Sequence, residues 1–353
     1  MRVLVIKLTS MGDILHLFPA LSDLQKKIPQ ADIDWMVEDS FAEIPLWHPS
    51  VSRVICAGTR RWRRLTWQNM KEFSEFIRSA RHDKYDYVID AQGLMKSAVL
   101  SRFVRLNKNG KRIGFSADSI KESPAAKLYR KKVTVSRDLH AIERLRQLFS
   151  QGFDYSISFN KNERNVESSL RAKLNYQVRL PGKLVKSLNQ RTIFFLHGTT
   201  WPSKHLPDQV WRDLLDLVTD DGYQVKLCWG NETERKRASW IAHEKPNVEV
   251  LPKQSLTDLA KMLKIAAGVI SVDTGLGHLA AAMNVPAVTI YGSTDAKLTG
   301  AIGAEQNHLQ TNYPCSPCLL KHCNKITDQV LSPPCYQTVS AVNIWQALYE
   351  KIA

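Results

Sequence analysis

The sequence lacks the features that mark several common classes of protein. No apolar run is long enough to cross a bilayer, which argues against a membrane-spanning helix. No Gly-x-Gly-x-x-Gly follows the first predicted strand, and no Gly-Lys-Ser or Gly-Lys-Thr occurs, which argues against a dehydrogenase and a P-loop ATPase. No Asp-x-Asp pair follows the end of a predicted strand, so we expect a reaction without a metal ion or other cofactor.

Acidic residues are scarce relative to basic ones. Asp and Glu number 34 against 49 Lys and Arg, which gives a net charge of +15. Five arginines fall between Arg53 and Arg64 without an acidic residue, and eleven basic residues lie between Arg102 and Arg137. This uneven charge predicts a nucleic acid, an anionic membrane surface or a small polyanionic substrate as partner. The alternative is a solvated basic surface without a partner.

The remaining composition is that of an ordinary globular protein. Hydrophobic residues make up 44% and charged residues 24% of the 353 residues, enough for two α/β domains. The opening apolar segment is too short for a secretory signal and is interrupted by Lys7, so it predicts a buried strand instead. We therefore expect a cytoplasmic protein.

Short apolar runs alternate with helical patterns in two blocks, which predicts two doubly wound parallel sheets with a cleft between them. The predicted strands are Arg2–Lys7, Asp32–Val37, Arg53–Cys56 and Tyr87–Asp90, then Thr192–Leu196, Gln224–Trp229, Val248–Val250, Gly268–Val272 and Ala287–Tyr291. One helix is predicted from Gly12 to Pro29, and a basic irregular segment over Asn107–Ser136.

The two blocks predict the domain boundaries. We expect an N-terminal domain over residues 1–175, a linker over 176–190 and a C-terminal domain over 191–338. A C-terminal helix follows over 339–353, and packing back on the N-terminal domain is one arrangement open to it.

The most informative segment is Ser271–His278. An apolar run enters it and a small-residue helical pattern leaves it, which predicts a buried strand, a tight turn and a helix N-terminus. The backbone N–H groups of such a turn suit a phosphate, and its Asp, Thr and His side chains can bind phosphate oxygens or sugar hydroxyls. A plain strand–helix turn with His278 as a core residue is the alternative.

Other polar residues also follow predicted strands. Asp13 comes after the first strand, where it is either a general base or a partner of the helix dipole. Lys204 follows a Gly-Thr-Thr turn, an arrangement that suits a diphosphate. Glu234 follows another strand, where an acid can bind a ribose diol or favour the first turn of a helix. These positions predict ligand binding at the carboxyl ends of the strands.

Four of the six cysteines fall close together near the C-terminus, with the spacing C-x2-C-x4-C-x11-C. They are Cys315, Cys318, Cys323 and Cys335. The spacing is not a standard zinc signature, although such a group can hold a structural zinc ion in a reducing compartment. Metal-free thiols are the interpretation that the spacing favours.

Stretches along nearly the whole chain together resemble the lipopolysaccharide heptosyltransferases of glycosyltransferase family 9, and most of all their type I members. They are the opening strand with Ser10–Asp13, Asp34–Glu38, Arg60–Arg64, Val88–Leu94, His140–Arg144, Phe195–His197, Trp229–Gly230 and Ser271–His278. The resemblance implies the GT-B architecture, in which two Rossmann-like domains face a central cleft. It also implies inverting transfer of L-glycero-D-manno-heptose from ADP-heptose to the Kdo of Kdo2-lipid A, without a metal ion.

The resemblance further implies roles for single residues and a set of partners. Asp13 matches the proposed catalytic base of the family. The positions that match the donor site are Thr199, Thr200, Lys204, Glu234, Asp273, Thr274, Gly275 and His278. The positions that match the acceptor site are Ser10, Arg60, Arg61, Arg63, Arg64 and Gln92. The implied partners are ADP-heptose, Kdo2-lipid A or a related precursor, and the anionic cytoplasmic face of the inner membrane, but no nucleic acid.

Departures from the type I pattern keep other functions open. The Pro- and Cys-rich stretch Pro314–Cys335 looks more like the type II enzymes, whose acceptor already carries a heptose. Trp201–Ser203 also differs from a more acidic version of this segment in the family. The alternatives are a type II or type III heptosyltransferase and, more distantly, a non-catalytic nucleic-acid-binding protein. Against the last, the basic residues lack an aromatic stacking pattern, and the second half carries a donor-like site that nucleic-acid binding would not need.

Overall fold

The computed structural model describes residues 1–157, 174–183, 190–243, 245–327, 330 and 332–353. These residues form two compact units. The first contains the described residues up to 157 together with Asn175–Arg179, and the second contains Leu174 and those from Leu180 onward. Residues 184–189 of the predicted linker lie outside the described residues, and the predicted domain boundaries stay predictions. Among the helices of the described chain, none has both the length and the apolar character that crossing a membrane requires.

The first unit is built on a parallel sheet of six strands. They are β1 (Arg2–Ile6), β2 (Asp32–Glu38), β3 (Val51–Ala57), β4 (Lys84–Asp90), β5 (Arg105–Phe115) and β6 (Lys131–Val133). The order across the sheet is β3-β2-β1-β4-β5-β6, and each neighbouring pair is parallel. This is the strand order of the Rossmann fold, whose topological switch point lies between β1 and β4. Ligands of such sheets bind at the carboxyl ends of the strands beside that point.

The second unit repeats the same strand order. Its strands are β7 (Thr192–Leu196), β8 (Gln224–Leu227), β9 (Val248–Val250), β10 (Gly268–Val272), β11 (Ala287–Tyr291) and β12 (Gln306–Gln310). They are arranged as β12-β11-β10-β7-β8-β9, again all parallel, so the switch point lies between β7 and β10. Two doubly wound sheets are therefore confirmed. The edge strand β12 escaped prediction because Leu309 is its single apolar residue.

Five helices of the described chain accompany the first sheet. They are α1 (Met11–Leu15), α2 (Phe18–Lys27), α3 (Trp67–Ala80), α4 (Met95–Phe103) and α5 (Ala141–Gly152). The single helix predicted between Gly12 and Pro29 is wrong, because α1 ends before α2 begins. Pro19 lies in the first turn of α2, and a proline there fits the start of a new helix since it has no backbone N–H to donate.

The irregular segment predicted over Asn107–Ser136 is also wrong. It contains most of β5, all of β6 and short 3-10 turns. Polar and basic residues occupy most of the first part of β5, and only its end, Ile113–Phe115, is continuously buried. A strand whose first part is exposed shows neither an apolar run nor an alternation, so sequence patterns do not reveal it.

The helices of the second unit include a C-terminal helix that packs within that unit. They are α6 (Asp208–Asp220), α7 (Glu232–Ala242), α8 (Leu256–Lys264), α9 (Gly275–Ala282), α10 (Ala296–Thr299) and α11 (Ala341–Ile352). The buried residues Ile344, Trp345 and Leu348 of α11 belong to the core formed by α6 and the second sheet. The apolar face of this helix is therefore part of the core of the second unit, and the possibility that the helix also packs on the N-terminal domain stays a prediction.

Candidate active site

The switch point of the second unit holds a buried ion pair. Asp273 directly follows β10, and Lys204 ends the 3-10 turn Pro202–Lys204 in the loop after β7. Lys204 Nζ lies 2.6 Å from Asp273 Oδ2, and the Thr294 hydroxyl donates to the same oxygen at 2.7 Å. His278 Nε2 lies 3.6 Å from the other carboxylate oxygen, Oδ1. A cation, a carboxylate, a hydroxyl and an imidazole are therefore concentrated where a Rossmann-like sheet binds ligands.

The Asp273 carboxylate is ionised at neutral pH. Burial alone would raise its pKa, but His278 and the Lys204 ammonium outweigh burial and hold the pKa well below its usual range. An ionised carboxylate has only acceptor oxygens, so Asp273 suits ligand hydroxyl groups that donate hydrogen bonds.

The variant Asp273→Asn should be less sensitive to acid than the wild type in its folding. Because the folded-state pKa is below the unfolded value, the carboxylate stabilises the protein above about pH 4, and this stabilisation is lost as the pH falls below that value. Urea unfolding between about pH 7 and about pH 3 should therefore show a shallower fall in the unfolding free energy for the variant. Equal slopes in the two proteins would contradict the ionised state assigned here.

The turn that carries Lys204 rests on the cysteine-rich segment, residues 314–335. The Ser203 backbone N–H donates to the Lys321 carbonyl at 3.2 Å, and its hydroxyl donates to the Leu320 carbonyl at 2.5 Å. Lys204 Nζ also lies 4.7 Å from the centre of the Trp201 ring, a cation–π contact. The ammonium is thus fixed from several sides before any ligand arrives.

Helix α9 begins directly after this carboxylate and offers its N-terminus to a ligand. Thr274 is the N-cap residue, in extended conformation, and Gly275 is the first residue of the helix. The first N–H groups of a helix have no acceptor within it and carry partial positive charge, which favours a phosphate. A Cβ on Gly277 would lie 2.8 Å from the Ser271 hydroxyl, so glycine lets the helix start this close to β10.

Glu234 lies in the first turn of α7, beside the loops that follow β7 and β8. The Gly230 N–H donates to Glu234 Oε2 at 2.7 Å, and Asn231 caps the helix by accepting from the Glu234 N–H at 3.0 Å. A Cβ on Gly198 would lie 2.8 Å from the Glu234 carboxyl carbon. Glycine at position 198 therefore lets the carboxylate reach the edge of the sheet, where an acid of a Rossmann-like fold binds a ribose.

A network around Arg237 fixes the loop between β7 and α6, and the sequence did not indicate it. The guanidinium donates to the His197 carbonyl at 2.9 Å and pairs with Asp208 at 2.5 Å. Burial, followed by the charge of Arg237, lowers the pKa of His197 to about 3, so this imidazole is neutral. One arginine on a helix carries no sequence signal. Thr294, in contrast, could have been found, because it follows β11 as the other site residues follow their strands.

In the first unit, Asp13 lies in the first turn of α1, after the carboxyl end of β1. Its Oδ2 accepts hydrogen bonds from the Ser10 backbone N–H at 2.9 Å and from the Ser10 hydroxyl at 2.8 Å. Lys7 Nζ lies 3.9 Å from Oδ1, and the Asp13 side chain is 44% exposed. A fixed orientation and access for a substrate hydroxyl are what a general base requires.

Lys7 lies buried at the switch point of the first unit. Its Nζ donates to the Ala91 carbonyl at 3.1 Å. Burial lowers the pKa of Lys7, whereas the carboxylates of Asp13 and Asp90 oppose that change. Lys7 Nζ therefore lies 3.9 Å from the Asp13 carboxylate, where burial disfavours its charged form and the two carboxylates favour it.

Gln92 holds the loop that carries the candidate base. Its Oε1 accepts hydrogen bonds from the backbone N–H groups of Leu8 at 2.9 Å and Thr9 at 3.1 Å. The resemblance assigned Gln92 to the acceptor site, and that assignment stays a prediction. The structure adds a positioning role, because these two bonds fix the backbone just before Ser10 and Asp13.

The arginines from 60 to 64 lie on an exposed turn after the carboxyl end of β3. Arg61 pairs with both Asp39 and Glu72, so its guanidinium fastens the turn to α3 and to the segment after β2. The other arginines of the cluster, all exposed, are Arg60, Arg63 and Arg64. Guanidinium groups at this density suit a ligand with several carboxylates or phosphates.

Replacing Arg63 and Arg64 together by Ala should raise the KM for an anionic acceptor roughly tenfold and leave donor KM unchanged. The salt dependence of acceptor binding should also become weaker, because fewer exposed charges remain to be screened. Initial rates at low and high salt measure both effects. The matched control is Lys26→Ala with Lys27→Ala, which removes two exposed charges from the end of α2. Equal acceptor kinetics in the two double variants would rule out the cluster as an acceptor site.

The four clustered cysteines line one small cavity together with Ser203 and Ser293. Cys335 is buried in the core of the second unit, and burial raises the pKa of its thiol. Among the described residues, no group of three or more His, Cys, Asp or Glu side chains is arranged to hold a metal ion. The structural zinc ion and the metal-free thiols that the spacing leaves open both stay predictions. The four cysteines share this cavity with Ser203, which lies in the turn that carries Lys204.

The structure brings most of the predicted donor residues together around the second switch point. The residues that converge there are Thr199, Lys204, Asp273, Thr274, Gly275 and His278. Glu234 lies beside the neighbouring loops, and Thr200 is exposed in the loop after β7. In the first unit, Ser10 and Asp13 are in direct contact, as described above.

The sequence and the fold match known proteins over most of their length. The family model described as glycosyltransferase family 9 (heptosyltransferase) matches residues 73–327. Lipopolysaccharide heptosyltransferase 1 of Pseudomonas aeruginosa is 43% identical over 325 residues, which cover 92% of this chain and 87% of that protein.

Solved structures of an Escherichia coli protein match equally broadly. Heptosyltransferase WaaC with ADP matches with a TM-score of 0.80 and 36% identity over 99% of this chain and 100% of that one. The same enzyme with ADP-2-deoxy-2-fluoro heptose matches with a TM-score of 0.77 and 35% identity, covering 99% of each chain. These matches, with the family model, show that the chain belongs to glycosyltransferase family 9, the heptosyltransferases, and is a glycosyltransferase.

Proposed function

We propose that the chain transfers L-glycero-D-manno-heptose from ADP-heptose to the Kdo of Kdo2-lipid A, with inversion at the anomeric carbon. The observation that carries the donor assignment is the pair of Asp273 and Lys204 beside the N-terminus of α9. The carboxylate suits sugar hydroxyls, and the ammonium with the helix N-terminus suits a diphosphate. Two similar solved structures, one with ADP and one with an ADP-heptose analogue, support the same donor.

The transfer is a single displacement at the anomeric carbon. A hydroxyl oxygen of the acceptor attacks this carbon while Asp13 takes the hydroxyl proton, and the bond from the carbon to the diphosphate oxygen breaks. ADP leaves with the bonding electron pair and an additional negative charge. Lys204 and the first N–H groups of α9 stabilise that charge, and since both are fixed in advance, they need no reorganisation during the reaction.

The acceptor assignment rests on charge. Kdo carries a carboxylate and lipid A carries phosphates, and the exposed guanidinium groups of Arg60, Arg63 and Arg64 suit both. The type I name of the similar P. aeruginosa protein supports this acceptor. An acceptor embedded in a membrane places the enzyme peripherally on the cytoplasmic face of the inner membrane. Family membership argues against the non-catalytic nucleic-acid-binding alternative.

Mass spectrometry of two candidate acceptors distinguishes the remaining alternatives. We expect Kdo2-lipid A incubated with ADP-heptose and the enzyme to gain one heptose. Product should also form in excess chelator, because Lys204 and the helix N-terminus supply the positive charge that a metal ion supplies elsewhere. Heptose transfer confined to an acceptor that already carries heptose would overturn the type I assignment. Product only after addition of magnesium or manganese would overturn the metal-free mechanism.

A further inference from the structure

Two apolar side chains next to the arginine cluster are far more exposed to solvent than a role in packing a hydrophobic core would allow. Leu65 is 89% exposed and Trp67 is 80% exposed, and both values exceed those of every other large apolar side chain in the described residues. Met70, one helical turn beyond Trp67, is 50% exposed. We call these three side chains the apolar tip. Contiguous exposed apolar residues with a polar rim mark interaction sites on soluble proteins.

Helix geometry does not account for the exposure. Thr66 is the N-cap of α3 and accepts a hydrogen bond from the Asn69 N–H at 3.2 Å. Leu65 and Met70 therefore occupy the two positions whose side chains often pair at a helix start. Such a pair shields its members from water, yet Leu65 remains almost fully exposed. The start of the helix therefore does not cover Leu65.

A rigid base holds the apolar tip in this exposed position. The Asn69 side chain donates to the carbonyl oxygens of Arg61 at 2.8 Å and Arg64 at 2.7 Å. Behind the turn, the Trp62 ring packs on Phe73 and Phe76 of the buried face of α3, with ring centres 5.0 and 4.8 Å apart. Because the turn is held by hydrogen bonds and ring packing, Leu65 and Trp67 are not free to fold onto the core.

Charge around the tip identifies what can cover it. No acidic residue occurs from Arg60 to Lys71, whereas five basic residues do, of which Arg61 is paired with Asp39 and Glu72 and the other four keep the local charge positive. A tryptophan and a leucine among exposed basic side chains match the interface of an anionic bilayer, where the rings enter the headgroup region and the cations contact lipid phosphates. A protein partner of this basic surface would have to offer acidic side chains. If the tip faced water instead, its apolar area would stay exposed.

We propose that the apolar tip inserts into the interface of an anionic membrane and so places the arginine turn at the depth of the lipid headgroups. This inference rests on the proposed function, since a lipid acceptor presents its sugars and phosphates at that depth. The tip would anchor the first unit without contacting the sugar that receives heptose. Leu65 and Trp67 therefore act on membrane binding, and the neighbouring arginines act on acceptor recognition.

Sedimentation with vesicles tests the proposal without donor or acceptor. The probes are phosphatidylcholine vesicles with and without phosphatidylglycerol, and the variant is Leu65→Ser with Trp67→Ser in the full chain. We expect the wild type to bind the anionic vesicles and the variant to bind them about tenfold more weakly or less. The matched control, Leu46→Ser with Val342→Ser, alters two other exposed apolar residues and should bind as the wild type does. Equal binding by the variant and the wild type, or no binding by the wild type, would overturn the proposal.

Kinetics with two forms of the acceptor separate membrane binding from acceptor recognition. With Kdo2-lipid A in vesicles, the tip variant should show a raised KM. With the water-soluble acceptor sugar from which the acyl chains have been removed, its kinetics should equal those of the wild type. An equal loss with both acceptors would show that the tip serves the active site instead and would overturn the proposal. Failure of the wild type to glycosylate the soluble acceptor would count against the proposed function, while the vesicle result would still decide the membrane tip.

Discussion

Replacing Asp13 by Asn should lower the rate of heptose transfer by roughly 10²–10⁴-fold and leave ADP-heptose binding unchanged. Asn keeps the size of the side chain and can still accept from Ser10, but it cannot take the proton of the attacking hydroxyl. The loss should therefore fall on kcat, because the base acts in the transition state and contributes little to ground-state binding. Single-turnover transfer to Kdo2-lipid A and calorimetric titration with donor measure the two quantities.

A second carboxylate of the same unit provides the control for this experiment. The side chain of Asp32 is 46% exposed, close to the 44% of Asp13. Asp32 begins β2, so it lies at the amino ends of the strands, whereas Asp13 follows the carboxyl end of β1. Asp32→Asn removes the same charge from the unit and should transfer heptose as the wild type does. Near-normal turnover in Asp13→Asn would remove this residue from the mechanism. An equal loss in both variants would point to the net charge or the fold of the unit.

Replacing Lys204 by Ala should reduce kcat by roughly 10²–10³-fold and weaken donor binding, with little effect on acceptor KM. The ammonium is fixed against Asp273 and over Trp201, and the proposed mechanism puts the charge that develops on departing ADP beside it. Its removal takes away a preorganised positive charge and leaves Asp273 facing the diphosphate with His278 as its neighbour. Repulsion between that carboxylate and the diphosphate should add to the loss of donor affinity.

The control for Lys204 is another ion-paired lysine of similar exposure in the same unit. The side chain of Lys226 on β8 is 13% exposed and pairs with Glu249 on β9, while that of Lys204 is 16% exposed. Lys226→Ala should lose stability in thermal unfolding but keep its transfer rate. Removal of Lys204 leaves the buried carboxylate of Asp273 without its ammonium partner, which costs stability, so the melting temperature of Lys204→Ala must be measured beside its kinetics. A raised acceptor KM with unchanged ADP affinity would mean that we have assigned the donor and the acceptor to the wrong units.

The positions of the main candidate residues in each unit could be predicted because parallel α/β sheets place ligands at the carboxyl ends of their strands. A polar residue just after an apolar strand therefore carries information, and this reasoning located Asp13, Lys204 and Asp273 from the sequence. The same rule could have found Thr294. It could not find Arg237, which reaches the site from the middle of α7, because a charged residue on a helix is ordinarily a solvated one.

The wrong or missing predictions share one physical origin. The environment of these side chains is not apparent from the local sequence pattern. The basic start of β5 hides a strand, and polar residues hide the edge strand β12. Gln92 has its positioning role because the loop that follows another strand passes close to it. The hydrogen bond joins residues 84 positions apart in the sequence. Arg61 is part of a basic cluster in the sequence, and only the fold shows that two carboxylates already hold it.

The support of the Lys204 turn by the cysteine-rich segment has a consequence for inhibition. Two backbone carbonyls of this segment receive the hydrogen bonds of Ser203, directly before Lys204. Cys318 is partly exposed and lies close in the chain to those carbonyls. An electrophilic compound that alkylated the Cys318 thiol would displace the cysteine-rich segment that supports the turn. The Lys204 ammonium would then move away from the departing diphosphate. Covalent inhibitors of this enzyme therefore need not compete with the nucleotide sugar for its own pocket.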